Sequence, residues 1–329
     1  MKIVVSGIQP TGNLHIGNYL GSLKNWQKFQ DEARCVFPIV DLHALSGDSL
    51  NHSELADNVI NTFATYIAAG VNPEKAIVFR QSDVVHHTEL MWILANVTSM
   101  GKLNRMTQFK DKGKNKDSVC SGLFTYPILM AADILLYKAH SVPVGDDQLQ
   151  HLELTNDIAA SFNAKYSVQY FSKVTPIISS KTKRIMSLRN AANKMSKSDL
   201  SDMTRINLTD SNDQILLKIK KAKTDILPEI TLNLDNRLEV QNLINIYAGC
   251  TNISAEDAVQ KMAGKTSSEF KNLLSEAVIS VVEPIREKVN DLINDKTYIL
   301  SCLSAGKNKA IEISDKNIND IKKIVGLSK

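Results

Sequence analysis

The residues of this chain best suited to chemistry gather first around His15, which lies between a loop punctuated by Gly7, Pro10, Gly12 and Asn13 and the pair Gly17-Asn18. A helix beginning near Gly17 and Asn18 would turn free backbone N–H groups and a positive dipole end toward a phosphate. Gly17 would let the ligand approach the backbone closely, with His15 beside it as a donor. Taken alone, the segment fits an ordinary βα turn better, since phosphate loops are one use of many such turns. Lys110-Asp111-Lys112-Gly113-Lys114-Asn115-Lys116-Asp117 has almost no apolar content and is predicted to be a mobile surface loop. Its lysines suit a solvated charge run or a clamp on a polyphosphate. Asp133 stands alone among Met130, Ala131, Ala132, Ile134 and Leu135. It is either an exposed-face aspartate or a buried carboxylate that needs a partner. Asp146 and Asp147 precede a predicted helix, where acids act as caps or, at a strand end, as magnesium or ribose contacts. His43 in Asp41-Leu42-His43 reads as an interior histidine or a catalytic one.

The elements that must hold these groups alternate between β-rich and amphipathic runs. Ile3 to Val5 reads as a strand buried on both faces, and Leu20, Leu23, Trp26 and Phe29 recur at helical spacing after it. Strands are predicted at Arg34 to Val40, Ala76 to Phe79, Val142 to Gly145 and Arg184 to Leu188. Helices are predicted at Glu54 to Ala69, Glu89 to Val97, Leu123 to Tyr137 and from Asp146-Asp147-Gln148 to Phe162. This is the pattern of βαβ units around a parallel sheet, in which ligands bind at the carboxyl ends of strands. The loops after Val5 and Val40 are therefore expected to frame a site. A polar loop, Lys194-Met195-Ser196-Lys197-Ser198, follows the last predicted strand. From about Thr209 the pattern becomes helical, at Gln214 to Lys223, Arg237 to Tyr247, Glu269 to Val282 and Asp315 to Val325. Lys218, Lys220, Lys221 and Lys223 form a basic stripe that reads as a solvated helix face or a nucleic-acid footprint.

A length of 329 residues predicts two domains, and 43% hydrophobic with 22% charged residues is ordinary for a soluble globular protein. No apolar run reaches membrane-spanning length, and a cytoplasmic location is expected. Cys35, Cys120, Cys250 and Cys302 lack paired spacing, which argues against a disulfide framework or a zinc or iron–sulfur site and leaves them as small buried hydrophobes. A net charge of +4 permits a nucleic-acid partner without implying one. Gly264-Lys265-Thr266 imitates the end of a Walker loop, but Val259 occupies the position of its first glycine.

Taken together, Pro10-Thr11-Gly12-Asn13-Leu14-His15-Ile16-Gly17-Asn18 and Lys194-Met195-Ser196-Lys197-Ser198 resemble the two signature motifs of class I aminoacyl-tRNA synthetases. Asn18, where most members carry a second histidine, narrows the resemblance to the bacterial tryptophanyl-tRNA synthetases. So do Arg105-Met106-Thr107-Gln108-Phe109-Lys110, the run Met130 to Tyr137, the run Val142 to Gln148 and the helix from His151 to Ala159. The resemblance covers nearly the whole chain and weakens after Lys220. Two departures are Val5, where some relatives place an aromatic residue in the tryptophan pocket, and Asp146, where glutamate is more usual.

This resemblance implies an α/β fold with a Rossmann-like, doubly wound parallel-sheet catalytic domain over residues 1–205. A smaller all-α domain over 206–329 would read the anticodon, its last helix free to pack back on the catalytic domain. It implies a cytoplasmic homodimeric ligase that activates L-tryptophan with magnesium-bound ATP, releases pyrophosphate and passes the acyl group to tRNA(Trp). His15, Lys194, Lys197 and Lys112 would be catalytic, with no metal ligands from the protein. Gln9, Pro10, Thr11, Gly17, Asn18, Gly145, Asp146, Asp147, Ile185, Lys194, Met195, Ser196, Lys197 and Ser198 would contact ATP. Asp133, Gln9, His43, Tyr126, Met130, Ile134, Val142, Val144 and Gln148 would surround tryptophan. Such chemistry needs alignment and neutralised charge on the leaving group rather than a protein nucleophile. A tyrosyl-tRNA synthetase is the nearest rival, opposed by Asn18 and by Gly145-Asp146-Asp147-Gln148. An RNA-binding protein that keeps the fold without catalysis is opposed by His15, Lys194 and Lys197.

Overall fold

Five short strands pair in parallel among the described residues: β1 (Ile3–Val5), β2 (Arg34–Ile39), β3 (Ile77–Arg80), β4 (Ser141–Pro143) and β5 (Thr175–Ile177), in the order β3-β2-β1-β4-β5. Val5 lies beside Val36, Val36 beside Ile77, Val4 beside Ser141 and Pro143 beside Ile177. The structure is a computed structural model of the chain. It describes all residues except 47–51, 113–119, 146–147, 179–183, 198, 226 and 228, and only the backbone of His52, Asp111 and Lys112.

Helices wind between the strands. After β1 come α1 (Ile16–Asn18), a wide π-type turn over Tyr19–Leu23 and α2 (Lys24–Glu32); after β2 come α3 (Asp41–Ala44) and α4 (Leu55–Ala68). After β3 come α5 (His86–Ala95), α6 (Met100–Asn104), α7 (Thr107–Lys112) and α8 (Ser121–Leu135), and α9 (Leu149–Lys165) joins β4 to β5. The remainder is helical: α10 (Asn212–Lys220), α11 (Leu238–Thr251), α12 (Ala255–Met262), α13 (Ser267–Asn294) and α14 (Lys296–Ile324). No helix among the described residues is long and apolar enough to cross a membrane.

Successive side chains of a strand point to opposite faces, so a sheet covered on both sides buries consecutive residues. Val4 and Phe37 accordingly share one core with Trp26, Phe63, Leu243 and Phe270, while Val5 and Val36 share the other with Leu90, Ile128, Ile158 and Ile318. In the first core Trp26 stacks on Phe37 with ring centroids 4.2 Å apart and meets Tyr66 edge-on at 5.0 Å. The Tyr66 hydroxyl accepts the Ile8 N–H at 3.0 Å, so packing under the sheet fixes the loop that leaves β1. Gly7 has to be glycine there, since a Cβ would stand 2.8 Å from both the Pro38 carbonyl oxygen and Val40 Cγ1. On the edge strand β3, α14 lies so close that a Cβ on Gly306 would collide with the Val78 carbonyl. The helix thus covers an edge that would otherwise offer unpaired peptide groups.

Several sequence expectations change. Arg184 to Leu188 is no strand of the sheet: Met186 makes only an isolated antiparallel bridge to Lys194. The fifth strand is instead Thr175–Ile177, whose central Pro176 suits an edge position and hid it from the β-propensity pattern. Lys110 to Lys112 close a helix rather than a loop, and the rest of that predicted loop, 113 to 117, lies outside the described residues. Helices α13 and α14 run 28 and 29 residues, because α13 continues through Pro284 and α14 through Gly306 with tertiary packing on both. Lys218 leaves the basic stripe. It is 3% exposed and ion-paired with Asp210 at 2.6 Å and with Asp202. Cys35 and Cys250 are buried as expected, whereas Cys120 is exposed and Cys302 partly so.

Candidate active site

In the order β3-β2-β1-β4-β5 the winding reverses between β1 and β4, and the crevice beyond the carboxyl ends of these two strands is the ligand position of such sheets. A cleft of about 800 Å³ opens there. Its floor comes from the strand ends, Val5 to Gln9 and Val142 to Gly145, with Val40 and His43 entering from the end of β2. The expected loops after Val5 and Val40 thus both contribute.

The first signature segment forms one wall, where His15, Gly17 and Asn18 line the cleft. The helix begins at Ile16, and the His15 N–H donates to Asn18 Oδ1 at 3.1 Å, so Asn18 shapes the helix start. One backbone donor expected to face a phosphate is already used: Ile16 N–H donates to the Ile206 carbonyl at 2.8 Å, and Leu208 N–H donates to that of Leu14 at 2.8 Å. These bonds join the start of the first motif to the chain just beyond the second. His15 is buried, and among the described residues Nδ1 has no hydrogen-bond partner. Burial, followed by the charges of Lys197, Arg205 and Lys194, lowers it to about 3, so the imidazole is neutral. A Cβ on Gly17 would stand 2.9 Å from His15 Nδ1, which is why glycine follows the histidine so closely.

The second signature segment forms the facing wall. Ser187 N–H donates to the Asn193 carbonyl at 2.8 Å and Met195 N–H to that of Ile185 at 3.1 Å, closing a hairpin that Met195, 2% exposed, anchors in the core. The chain then runs on to Lys197, whose Nζ donates to the Gln9 carbonyl at 2.6 Å. This side chain is partly accessible along its length, yet enclosure of its ammonium end lowers Lys197 to about 8. Ile185, Lys194, Met195 and Lys197 line the cleft.

The deeper end belongs to α8. Tyr126, Met130, Asp133 and Ile134 lie on one face at helical spacing, and all four line the cleft with Val142, Val144 and Gln148. Asp133 is 4% exposed and held by three neighbouring side chains. Oδ1 accepts from Gln81 Nε2 at 2.7 Å and from His87 Nδ1 at 2.6 Å, and Oδ2 accepts from His43 Nε2 at 2.8 Å. Behind His87, the Tyr137 hydroxyl donates to Nε2 at 2.8 Å; burial, then the charge of Asp133, raises this phenol and keeps it protonated. Burial alone would raise the Asp133 carboxyl, but hydrogen bonds from His43 and His87 outweigh it and lower the group to about 2. Gln81 also accepts the Leu42 N–H at 3.1 Å, tying α3, which carries His43, to the same carboxylate. The Tyr126 hydroxyl donates to Gln108 Oε1 at 3.0 Å and takes the His151 Nε2–H at 2.6 Å.

Most residues expected at the site therefore converge, Gln9 and Gly145 included. Pro10, Thr11 and Ser196 do not line the cleft, and Pro10 is buried in the turn. Asp146, Asp147 and Ser198 lie outside the described residues, as does the side chain of Lys112 at the end of α7. Sequence reading missed Gln81, His87, Tyr137, Arg184 and Gln108 as site residues. Gln108 and Tyr137 had a local signal, their places in the Arg105 to Lys110 and Met130 to Tyr137 runs, and Arg184 opened a predicted strand; Gln81 and His87 had none.

Residues 1–283 match the model of the family described as tRNA synthetases class I (W and Y). A tryptophan–tRNA ligase of Rickettsia prowazekii (strain Madrid E) is 50% identical over 326 residues, covering 99% of this chain and 98% of that protein. The crystal structure of a tryptophanyl-tRNA synthetase from Mycoplasma pneumoniae superposes with a TM-score of 0.91 at 31% identity, over 100% of this chain and 98% of the other. One from Campylobacter jejuni, complexed with ADP and tryptophan, gives 0.82 at 31% identity over 99% and 100%. The chain therefore belongs to the class I tRNA synthetases of the tryptophan and tyrosine type, and within them to the bacterial tryptophan–tRNA ligases.

Proposed function

We propose that the cleft activates L-tryptophan with ATP and passes it to tRNA(Trp), with the indole on the α8 side and the phosphates between the two signature segments. The observation that carries this reading is the convergence of His15, Lys194 and Lys197 from distant parts of the chain with Asp133 in one cleft. A carboxylate has about four acceptor positions. Among the described residues three on Asp133 are filled, by Gln81, His87 and His43, which leaves one on Oδ2, the oxygen that His43 meets where both residues line the cleft. An indole N–H, which can only donate, completes that set. Val5 and Val144 offer the apolar ring its walls, and His43, Tyr126, Met130, Ile134, Val142, Gln148 and Gln9 surround it.

At the other end, tryptophan's carboxylate attacks the α-phosphate of ATP and the bond to pyrophosphate breaks. Charge grows on the leaving pyrophosphate as this happens, and Lys197 and Lys194 neutralise it most strongly in the transition state. Neutral His15 donates a hydrogen bond without repelling the lysines. Lys112, at the end of α7, serves the same clamp, and Gly17, Asn18, Gly145 and Ile185 bound the nucleotide, with Pro10, Thr11, Asp146, Asp147, Met195, Ser196 and Ser198 completing its loops. Magnesium enters with the nucleotide, as the substrate MgATP. We place the catalytic unit at 1–205 and the anticodon-reading unit at 206–329, where Lys220 and Lys221 present exposed charge for salt-sensitive phosphate contacts. The exposed apolar residues Val85, Trp92 and Met100 on and beside α5 and α6 support a homodimer, and the reaction belongs in the cytoplasm.

The test is exchange of labelled pyrophosphate into ATP with each amino acid supplied separately. Exchange is expected with tryptophan and little with tyrosine or phenylalanine. Comparable exchange with tyrosine, or none with any amino acid, would overturn the reading.

A further inference from the structure

The run Arg184 to Leu188 has the sequence of a strand but joins no strand of the sheet among the described residues. Leu188 pairs instead with the Thr204 carbonyl and the Lys223 N–H, and at Met186 a single side chain replaces the missing neighbour. In the hairpin that roots the second signature segment, Met186 faces Lys194 as an antiparallel bridge, with the flanking bonds made by Ser187 N–H to Asn193 and Met195 N–H to Ile185. In such a pair the peptide groups of the bridged residue point away from its partner. Met186 therefore turns its N–H and C=O toward the helical part of the molecule. Asn242 of α11, 3% exposed, meets both: Met186 N–H donates to Asn242 Oδ1 at 2.8 Å, and Asn242 Nδ2–H donates to the Met186 carbonyl at 2.9 Å. The amide takes the place of a peptide in a third strand.

We infer that Asn242 is a positioning residue for the activation step: from the helical part it fixes the root of the hairpin that delivers Lys194 and Lys197 to the cleft. The lysines follow the gripped segment directly, and Lys197 spans the cleft to the Gln9 carbonyl. Displacement of Met186 would be carried through Lys194 to the ammonium groups. The tryptophan pocket on α8 makes no bond to this hairpin among those described, so the grip acts on phosphate chemistry and not on amino-acid binding. This rests on the reading of Lys197 as a transition-state group.

The experiment is a double-mutant cycle of Asn242→Leu with Lys197→Ala in tryptophan-dependent pyrophosphate exchange on the full chain. Losing the two part-buried hydrogen bonds to Met186, with the longer one to the Ser187 carbonyl at 3.5 Å, predicts a fall in kcat of about ten- to a hundredfold. KM for tryptophan should stay within about twofold, as expected when only a transition-state contact is lost. In the Lys197→Ala background the same substitution should cost less than about threefold, because coupled residues are non-additive. Where Asn242→Leu does not fold, Asn242→Ser, which stays polar but cannot reach both peptide groups, takes its place in the cycle. An undiminished cost in the Lys197→Ala background, or a rise in the tryptophan KM with kcat unchanged, overturns the positioning role and leaves the lysine's own role intact. A Lys197→Ala enzyme with undiminished kcat overturns the lysine reading, and the positioning role falls with it.

Discussion

If Asp133 reads the indole nitrogen through the one acceptor position left on Oδ2, the substitution Asp133→Asn should remove that reading while sparing the fold. Oδ1 receives two donors, Gln81 Nε2 and His87 Nδ1, so the amide of the variant will place its oxygen there. Its NH2 then faces His43 and the indole. His43 can change tautomer and accept, but the indole N–H cannot, and it meets a donor. A hydrogen bond to a charged group is worth about 1.5–3 kcal/mol. Its loss corresponds to a roughly tenfold to more than hundredfold weaker affinity. Because size is retained and only one of three internal donors must readjust, stability should fall by no more than about 1–3 kcal/mol. The assay is calorimetric binding of tryptophan and of an analogue with sulfur in place of the ring N–H, to both proteins, with urea unfolding alongside. The wild type should prefer tryptophan by that factor, and the variant should bind the two with nearly equal affinity. The same preference in both proteins would mean that Asp133 serves its internal partners alone and that another group receives the indole.

Other outcomes follow from the same geometry. Lys197, lowered to about 8 by enclosure, is charged below that pH, so kcat/KM for exchange should decline as pH rises through about 8; in Lys197→Arg, which stays charged, that alkaline limb should disappear. His15 has a folded value of about 3 against 6.5 unfolded, so between these pH values the unfolded chain binds a proton that the folded one does not, and stability falls as pH falls. The slope due to this residue is about 1.4 kcal/mol per pH unit, and urea melts of His15→Gln should lack it. Gly306→Ala drives a Cβ into the Val78 carbonyl, and the overpacking should cost about 1–3 kcal/mol in unfolding experiments while kcat of the folded enzyme is retained.

What the sequence determined by itself is local. β-branched runs broken by turn residues specify a parallel sheet, since a strand covered on both faces shows consecutive buried residues and not alternation, as at Val4 and Val5. The glycines and His15 of the first loop, the lysines of the second and the lone Asp133 were legible because each motif's chemistry lies within a few residues. Tertiary structure decided what spans the chain. Whether Asp133 is solvated or buried depends on Gln81, His87 and His43, 52, 46 and 90 residues away, and no periodicity encodes their meeting. Lys218 has the spacing of an exposed stripe, yet it lies buried because Asp202 and Asp210 come to it from the segment that also pairs with the His15 loop. Arg184 to Leu188 has the composition of a strand, yet its outward peptide groups are taken elsewhere, those of Met186 by Asn242 and those of Leu188 by the backbone of Thr204 and Lys223. Strand propensity is a local property, whereas a strand exists only where a partner's hydrogen-bonding groups are presented, and the packing of the helical part decides that.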